Sequence, residues 1–366
     1  MRLPLRRNQA ATADTSVEAL PGTKSLPKIL GAAAALLVLG WLLVKGAGDV
    51  KQFVTVTLNG LTLSALFFVV ASGFTLIFGL MRVVNMAHGS LYLLGGYLAF
   101  EIQKGWFAEE TQGLNLSLAS PTGSAGEYDL LGWLLPVVLA ALVIGAVGVI
   151  IQQLFLRWNQ GEDLRQALIT IAISVIMADQ MLAQFGGISK DVKTPTSWPE
   201  SVTIFGVQYG FFRLVIVTGA ALVIGVFLWW LIKRTRFGLI VRAGVDDREM
   251  VSALGINIPV VFAGAFFIGA LLAGLGGALG GTMLSLQPGE DASFLLNSLI
   301  VVIIGGMGSL GGAAIGALLL GLVDAYADVY LVFGDTDLTN YSILLTFGLL
   351  VAVLAVRPLG LFGRPA

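Results

Sequence analysis

Apolar runs separated by short polar stretches recur along the chain from residue 29 to residue 356. A helix needs about 20 apolar residues to cross a hydrocarbon core of roughly 30 Å. On that measure the candidate crossings lie near 29–45, 53–79, 86–102, 133–151, 164–184, 212–232, 258–283, 295–306, 311–331 and 341–356. The stretch 295–306 is too short to span and runs into Gly305-Gly306-Met307-Gly308-Ser309-Leu310-Gly311-Gly312, so it reads as a half-helix or re-entrant piece. The predicted fold is all-α: a polytopic helical membrane protein with about eight to ten transmembrane helices, some of them broken or re-entrant.

Composition agrees and narrows the function classes. The 366 residues are 57% hydrophobic and 12% charged, against roughly 25% charged in a soluble domain, and mean hydropathy is +0.89. A soluble enzyme is excluded. Forty-seven glycines suit helices that pack closely on small residues or break where they line a polar path. The absence of cysteine removes disulfides, thiolate nucleophiles and Cys-ligated metals, and a single histidine removes a His-cluster metal site.

The distribution of charge sets a topology. Residues 1–28 carry Arg2, Arg6, Arg7, Lys24 and Lys28 with three prolines, and read as a cytoplasmic N-terminal arm. Residues 29–52 then form a first membrane anchor and a short external loop, the alternative being a secretory signal cut near Gly46-Ala47-Gly48. Basic residues at Arg82, Arg157, Arg165, the Lys233 to Arg248 loop, Arg357 and Arg364 are assigned to the cytoplasm by the positive-inside rule, which puts both termini there. The loops 103–132 and 186–211 then face outward, although Lys45, Lys51, Lys104, Lys190, Lys193 and Arg213 also fall on that side.

No nucleophile, base and orienting group stand at readable spacing, and no G-x-x-x-x-G-K-[ST] run is present to cradle a nucleotide. Gly276-Gly277 and Gly280-Gly281 lie inside an apolar helix, where close packing is their role. Asn85-Met86-Ala87-His88-Gly89-Ser90 and the glycine run 305–312 each precede a helix, one in each half, which suggests a two-half repeat. Breaks at matching places mark the solute path of many transporters, so Asn85, His88, Gly89, Gly305, Gly306 and Gly308 are candidate pathway residues.

The most specific feature is the stretch from Thr235 to Ile256. Asp246 and Asp247 suit the start of a short helix and Gly255 its end, with Val251 and Leu254 expected on one face near Ala243 or Val245. A short amphipathic helix across the cytoplasmic surface is a docking device for a partner's groove.

This stretch resembles the coupling segment of bacterial ABC importer permeases, and Arg242-Ala243, Ala253 and Gly255-Ile256 are similar to the branched-chain amino acid permease family. Asn85-Met86-Ala87-His88-Gly89, Gly305-Gly306-Met307-Gly308 with Gly311-Gly312, and Arg357-Pro358-Leu359-Gly360-Leu361-Phe362-Gly363 resemble the same family, so that 53–363 is the permease domain and 233–257 its coupling loop. The resemblance implies a bacterial inner-membrane subunit paired with a second related permease, two cytoplasmic ATPase subunits holding ATP and Mg, and a periplasmic solute-binding protein. No cofactor is expected on this chain, and no nucleic acid as partner. Coupling to the ATPases would fall on Arg242, Ala243, Asp246, Val251, Ala253, Leu254 and Gly255. Solutes implied are branched-chain or other amino acids, with urea, short amides or aromatic acids as alternatives.

Other residues carry less. His88 can be a proton relay, or it can join Asn85 in bonding backbone groups freed at a helix break; the second role is favoured. Asp179 and Asp324 are the carboxylates within crossings, expected near the external interface. Arg82 reads as an interfacial anchor, and Trp229 and Trp230 as the aromatic belt above Lys233 and Arg234. An ion-coupled secondary transporter or channel is the competing class, disfavoured by the few intramembrane carboxylates. A membrane-embedded enzyme has almost nothing to be built from.

Overall fold

The computed structural model describes residues 48–81, 83–107, 130–159, 161–333 and 336–363. The arm 1–28, the expected crossing 29–45, Arg82, most of the loop 103–132 and Arg364 lie outside them.

Helix α1 (Val50–Phe74) opens on Asp49, whose carboxylate accepts from the Gln52 N–H at 3.0 Å, and runs on through a π-helical turn, Thr75–Leu80. Next come α2 (His88–Phe107), α3 (Leu130–Ile151) and α4 (Asp163–Phe185). A two-stranded hairpin, β1 (Ser201–Ile204) with β2 (Val207–Gly210), turns at Phe205 and Gly206, both at positive φ. Helices α5 (Thr218–Arg234), α6 (Arg236–Asp246), α7 (Arg248–Ala253) and α8 (Ile258–Met283) follow. Helices α9 (Glu290–Gly305), α10 (Leu310–Tyr330) and α11 (Ser342–Val356) complete the described set. Among the described residues six helical stretches are long and apolar enough to cross a membrane, and Ser342–Val356 is a shorter apolar helix. The predicted crossings that fall within the described residues lie on these helices.

Helix α8 stands at the centre, packed against α1, α2 and α3. Its small residues permit this. A Cβ on Gly277 would overlap the carbonyl oxygen of Tyr92 on α2, and one on Gly269 would come within 2.6 Å of the Ile77 side chain. The glycine pairs of α8 therefore let backbones approach closely, as lipid-soluble helices require when no hydrophobic effect drives them together. On the other side of α1, Ser64 Oγ donates to the Leu318 carbonyl of α10 at 3.2 Å.

Helices α4 and α5 are peripheral. They leave Leu168, Val175, Leu182, Leu222, Val223 and Val226 exposed, apolar surface that only lipid or another membrane chain can cover. On α5, the cations of Lys233 and Arg234 lie 6.0 and 5.8 Å from the Trp229 ring, the interfacial arrangement expected of that end. Arg157, Arg165, Arg236 and Arg357 cluster at helix ends on this same basic face, and the β1–β2 hairpin lies on the opposite one.

Candidate functional site: a helix break inside the bundle

The chain does not pass straight from α1 into α2. His88 begins α2, and its Nε2 lies 3.0 Å from the carbonyl oxygen of Val70. Val70 precedes the end of the Val50–Leu80 stretch by ten residues, so at 1.5 Å per residue His88 sits about 15 Å inside the membrane from the basic face. Residues 83–87 thus climb back into the bundle without helical hydrogen bonds, and each buried N–H needs another partner.

Those partners come mainly from α4. Gln166 Oε1 accepts from the Val84 N–H at 3.0 Å and Thr170 Oγ1 accepts from the Met86 N–H at 2.9 Å. One turn further on, Ser174 and Ser90 share a hydroxyl hydrogen bond of 2.8 Å. Residues 166, 170 and 174 recur at four-residue spacing and so form one polar stripe along the helix. Asn85 Oδ1 accepts from the Ala87 N–H at 3.1 Å, and the Val83 N–H reaches the Ile77 carbonyl at 3.3 Å. Asn85 and His88 are both wholly buried; Asn85 bonds an N–H within the break, whereas His88 reaches a carbonyl inside α1, and Asn85 Nδ2 and His88 Nδ1 have no hydrogen-bond partner.

Gly89 lies where α2 meets the start of α9, with no room for a Cβ beside the Asp291 carbonyl. The second glycine run sits elsewhere. Gly305 closes α9, Gly306 turns at φ +95° and Gly308 at φ +78°, and Ser309 caps α10 by accepting from the Gly312 N–H at 3.0 Å. Gly89 and Gly305 therefore mark opposite ends of α9, roughly 21 Å apart along its axis. The structure does not bring the two breaks together. Near Gly305 the terminal segment 357–363 docks instead: the Leu361 and Phe362 N–H groups donate to the Ile304 and Gly305 carbonyls at 2.8 and 3.0 Å. These are carbonyls that a helix end leaves without intrahelical partners.

The segment 235–256 contains two helices rather than the one expected. Thr235 caps α6, and Asp246 is its last residue, so Asp246 does not begin the short helix as the sequence suggested. Asp247 alone does so: it is extended, at φ −146° and ψ 97°, and its carboxylate accepts from the Met250 N–H at 2.9 Å. The extended residue breaks the helix and lets its own side chain cap the next one. Gly255, at φ +81°, closes this elbow as expected. Val251 and Leu254 do not share a face. Val251 is buried against Ile258 and Phe262 of α8, whereas Leu254 is 72% exposed. Ala253 is also exposed, Ala243 is half-buried, and Arg242 is exposed with its Nε donating to the Gly238 carbonyl at 3.2 Å.

Gln166, Thr170, Ser174, Ser90 and Asp291 are the residues that sequence reasoning missed. The only signal was the spacing of three polar residues along α4.

A bundle of membrane-crossing helices, close-packed on glycine around a non-helical break, defines a multi-pass membrane protein. Residues 56–354 match the family described as branched-chain amino acid transport system / permease component, and the chain belongs to it. It is 31% identical over 329 residues to the high-affinity branched-chain amino acid transport system permease protein BraD of Pseudomonas aeruginosa, covering 87% of this chain and 98% of the relative. It is 30% identical over 315 residues to the permease protein LivH of the corresponding Salmonella typhimurium system, covering 84% and 94%. Identity to the Escherichia coli LivH is likewise 30%, over 317 residues and 84% and 94% of the two chains. No solved structure matches the chain. The protein is a membrane transport subunit and not an enzyme.

Proposed function

We propose that the chain is the transmembrane permease subunit of an ATP-driven importer for branched-chain or other amino acids. Family membership and near-complete coverage of BraD and LivH support the solute class. The observation that carries the ATP-driven part is the α6–α7 elbow. It joins α5 to α8 on the basic face, is anchored by buried Val251, and presents exposed Leu239, Met250 and Leu254 outward. Exposed apolar side chains at the edge of a membrane bundle need a cover, and a soluble ATPase groove provides one.

In this scheme the basic face is cytoplasmic, two ATPase subunits hold ATP and Mg, and their closure pulls on 242–255 to rock the transmembrane halves. A second related permease covers the apolar flank of α4 and α5. A periplasmic solute-binding protein docks on the opposite face, where the β1–β2 hairpin presents Phe205, 89% exposed. A cavity of about 390 Å³ opens beside that hairpin, lined by Thr194, Trp198, Glu200, Arg213 and Thr282 among others, and forms the outer mouth. Solute then passes beside Asn85, His88 and Gly89, while Gly305, Gly306 and Gly308 shape the cytoplasmic corner.

Mild-detergent purification of the tagged protein from its native membrane, followed by mass spectrometry, tests the assembly. Two ATPases and a related permease are expected to travel with it. Recovery of this chain alone, across several detergents that leave it folded, would remove the ATP-driven scheme.

A further inference from the structure

The cavity at the outer mouth, about 390 Å³, falls within the range of roughly 300–1,000 Å³ typical of ligand pockets. Its floor is the outer end of α8, where Thr282 and Met283 line it. Helix α8 is packed against α1, α2 and α3, so the cavity opens over the interior of the bundle. One wall is the segment 194–200, and the other is Phe212 with Arg213, in the π-helical turn Phe212–Val217 that leads into α5. The first wall is preformed. Gln103 of α2, 2% exposed, clamps its start: Oε1 accepts from the Lys193 N–H at 2.8 Å and Nε2 donates to the Lys193 carbonyl at 3.0 Å. The Val192 N–H donates to the Gly281 carbonyl of α8 at 3.0 Å. Trp198 then stacks on Phe212 and meets Trp133 of α3 edge-on at 5.2 Å, which gives the cavity an aromatic side suited to an aliphatic group.

The polar groups here are of both signs. Arg213 Nη2 donates to the Met283 carbonyl at 2.9 Å, which holds the guanidinium against the floor, with Tyr209 beside it, and leaves further N–H groups for another acceptor. Glu200 stands close by, since its carbonyl accepts from the Phe211 N–H at 3.2 Å, two residues before Arg213. Both side chains are exposed, so a solute arriving from outside can reach each of them. They line one cavity yet do not pair with each other: the only ion pair among the described residues is Arg165–Glu162, at the far end of the bundle. Helix α8 also ends at this floor, and the last carbonyls of a helix carry a partial negative charge that favours a cation. A guanidinium, a carboxylate beside a helix C-terminus and an aromatic wall correspond to the carboxylate, the ammonium and the side chain of an apolar amino acid.

We infer that the outer mouth is an entry subsite for a zwitterionic apolar amino acid, in which Arg213 receives the carboxylate, Glu200 and the end of α8 receive the ammonium, and Trp198 and Phe212 lie along the side chain. This subsite rests on the amino acid importer function proposed above. It gives the permease its own contact with the solute once the binding protein has released it.

The test uses the absence of cysteine from the chain. Thr194→Cys, at the cavity wall, is introduced into the full importer complex in lipid vesicles, with the outer face accessible and no binding protein present. Labelling of this chain by a neutral, water-soluble methanethiosulfonate is timed alone, with leucine, with 4-methylpentanoate, which lacks the ammonium, and with 3-methylbutylamine, which lacks the carboxylate. Saturating leucine is expected to slow labelling about five-fold or more, and neither analogue does so at the same concentration. Glu200→Gln and Arg213→Gln each remove the protection. Should Arg213→Gln fail to assemble, Glu200→Gln decides alone, since its side chain is exposed and makes no ion pair among the described residues. Labelling that leucine does not slow, equal protection by either analogue, or protection that survives either substitution would overturn the subsite. ATP-dependent leucine uptake by the cysteine-containing complex, supplied with binding protein, is measured in parallel. Uptake without protection removes the subsite alone, and absence of uptake in the unsubstituted complex removes the importer function itself.

Discussion

Gln166 holds two separate pieces of backbone at once: its Oε1 accepts from the Val84 N–H at 3.0 Å while its Nε2 donates to the Asn159 carbonyl at 2.8 Å. One side chain on α4 thus ties the non-helical climb 83–87 to the end of the Leu130–Asn159 stretch. Gln166→Ala leaves a buried donor at Val84 unsatisfied and is expected to destabilise the bundle by about 1–3 kcal/mol. Thermal unfolding in detergent, followed by tryptophan fluorescence, measures it. Thr170→Val strands the Met86 N–H in the same way and should cost a comparable amount.

Gly89 and Gly105 offer a matched pair within α2. An alanine methyl at 89 would overlap the Asp291 carbonyl, which is backbone and cannot swing aside, whereas at 105 nothing lies within 4 Å. Gly89→Ala is therefore expected to force α2 from α9, costing about 1–3 kcal/mol as overpacking does, and to abolish transport. Gly105→Ala should be neutral or stabilising by about 0.5–1 kcal/mol. Equal behaviour of the two variants in an unfolding and uptake assay would contradict the packing described.

Leu254 and Val251 divide the elbow between partner and bundle. Leu254→Arg changes an exposed side chain and is expected to leave the melting midpoint unchanged while the ATPases no longer co-purify. Val251→Ala empties a buried site and should cost about 1–2 kcal/mol with ATPase association retained. Pull-down and thermal unfolding of both variants decide the division, and reversed outcomes would place the docking surface elsewhere.

Gly306 combines a φ of +95° with a backbone neighbour, Gly363, that leaves no room for a Cβ. Gly306→Ala should detach the terminal segment 357–363 from the end of α9 and expose it to limited proteolysis near Leu361. A digestion pattern identical to that of the unsubstituted protein would show that the segment is held by other contacts.

Much of this was legible in the sequence, because membrane helices announce themselves by length and apolarity. The crossings 258–283 and 212–232, and the break in helix before His88, stand where the sequence pattern put them. Gly255 at the end of the short helix and Asp247 at its start also followed from local chemistry. The boundary at Asp246 did not, since the amphipathic pattern of 236–246 shows that a helix is present but not where it yields to an extended residue. Nor did the shared face of Val251 and Leu254 survive: which side of a six-residue helix is covered depends on α8, a partner the local pattern cannot reveal. Gln166, Thr170 and Ser174 were hidden for the converse reason. Three polar residues at four-residue spacing in a membrane-crossing helix have no evident use until the N–H groups of 83–87 are placed opposite them.

Uptake of labelled leucine into vesicles tests the central claim most directly, with this permease reconstituted alongside its co-purifying permease and ATPases and supplied with the solute-binding protein. Accumulation is expected only when ATP is present on the ATPase side and the binding protein on the other. Leucine entry through this chain alone, without ATP and following an ion gradient, would contradict an ATP-driven importer and identify a secondary carrier.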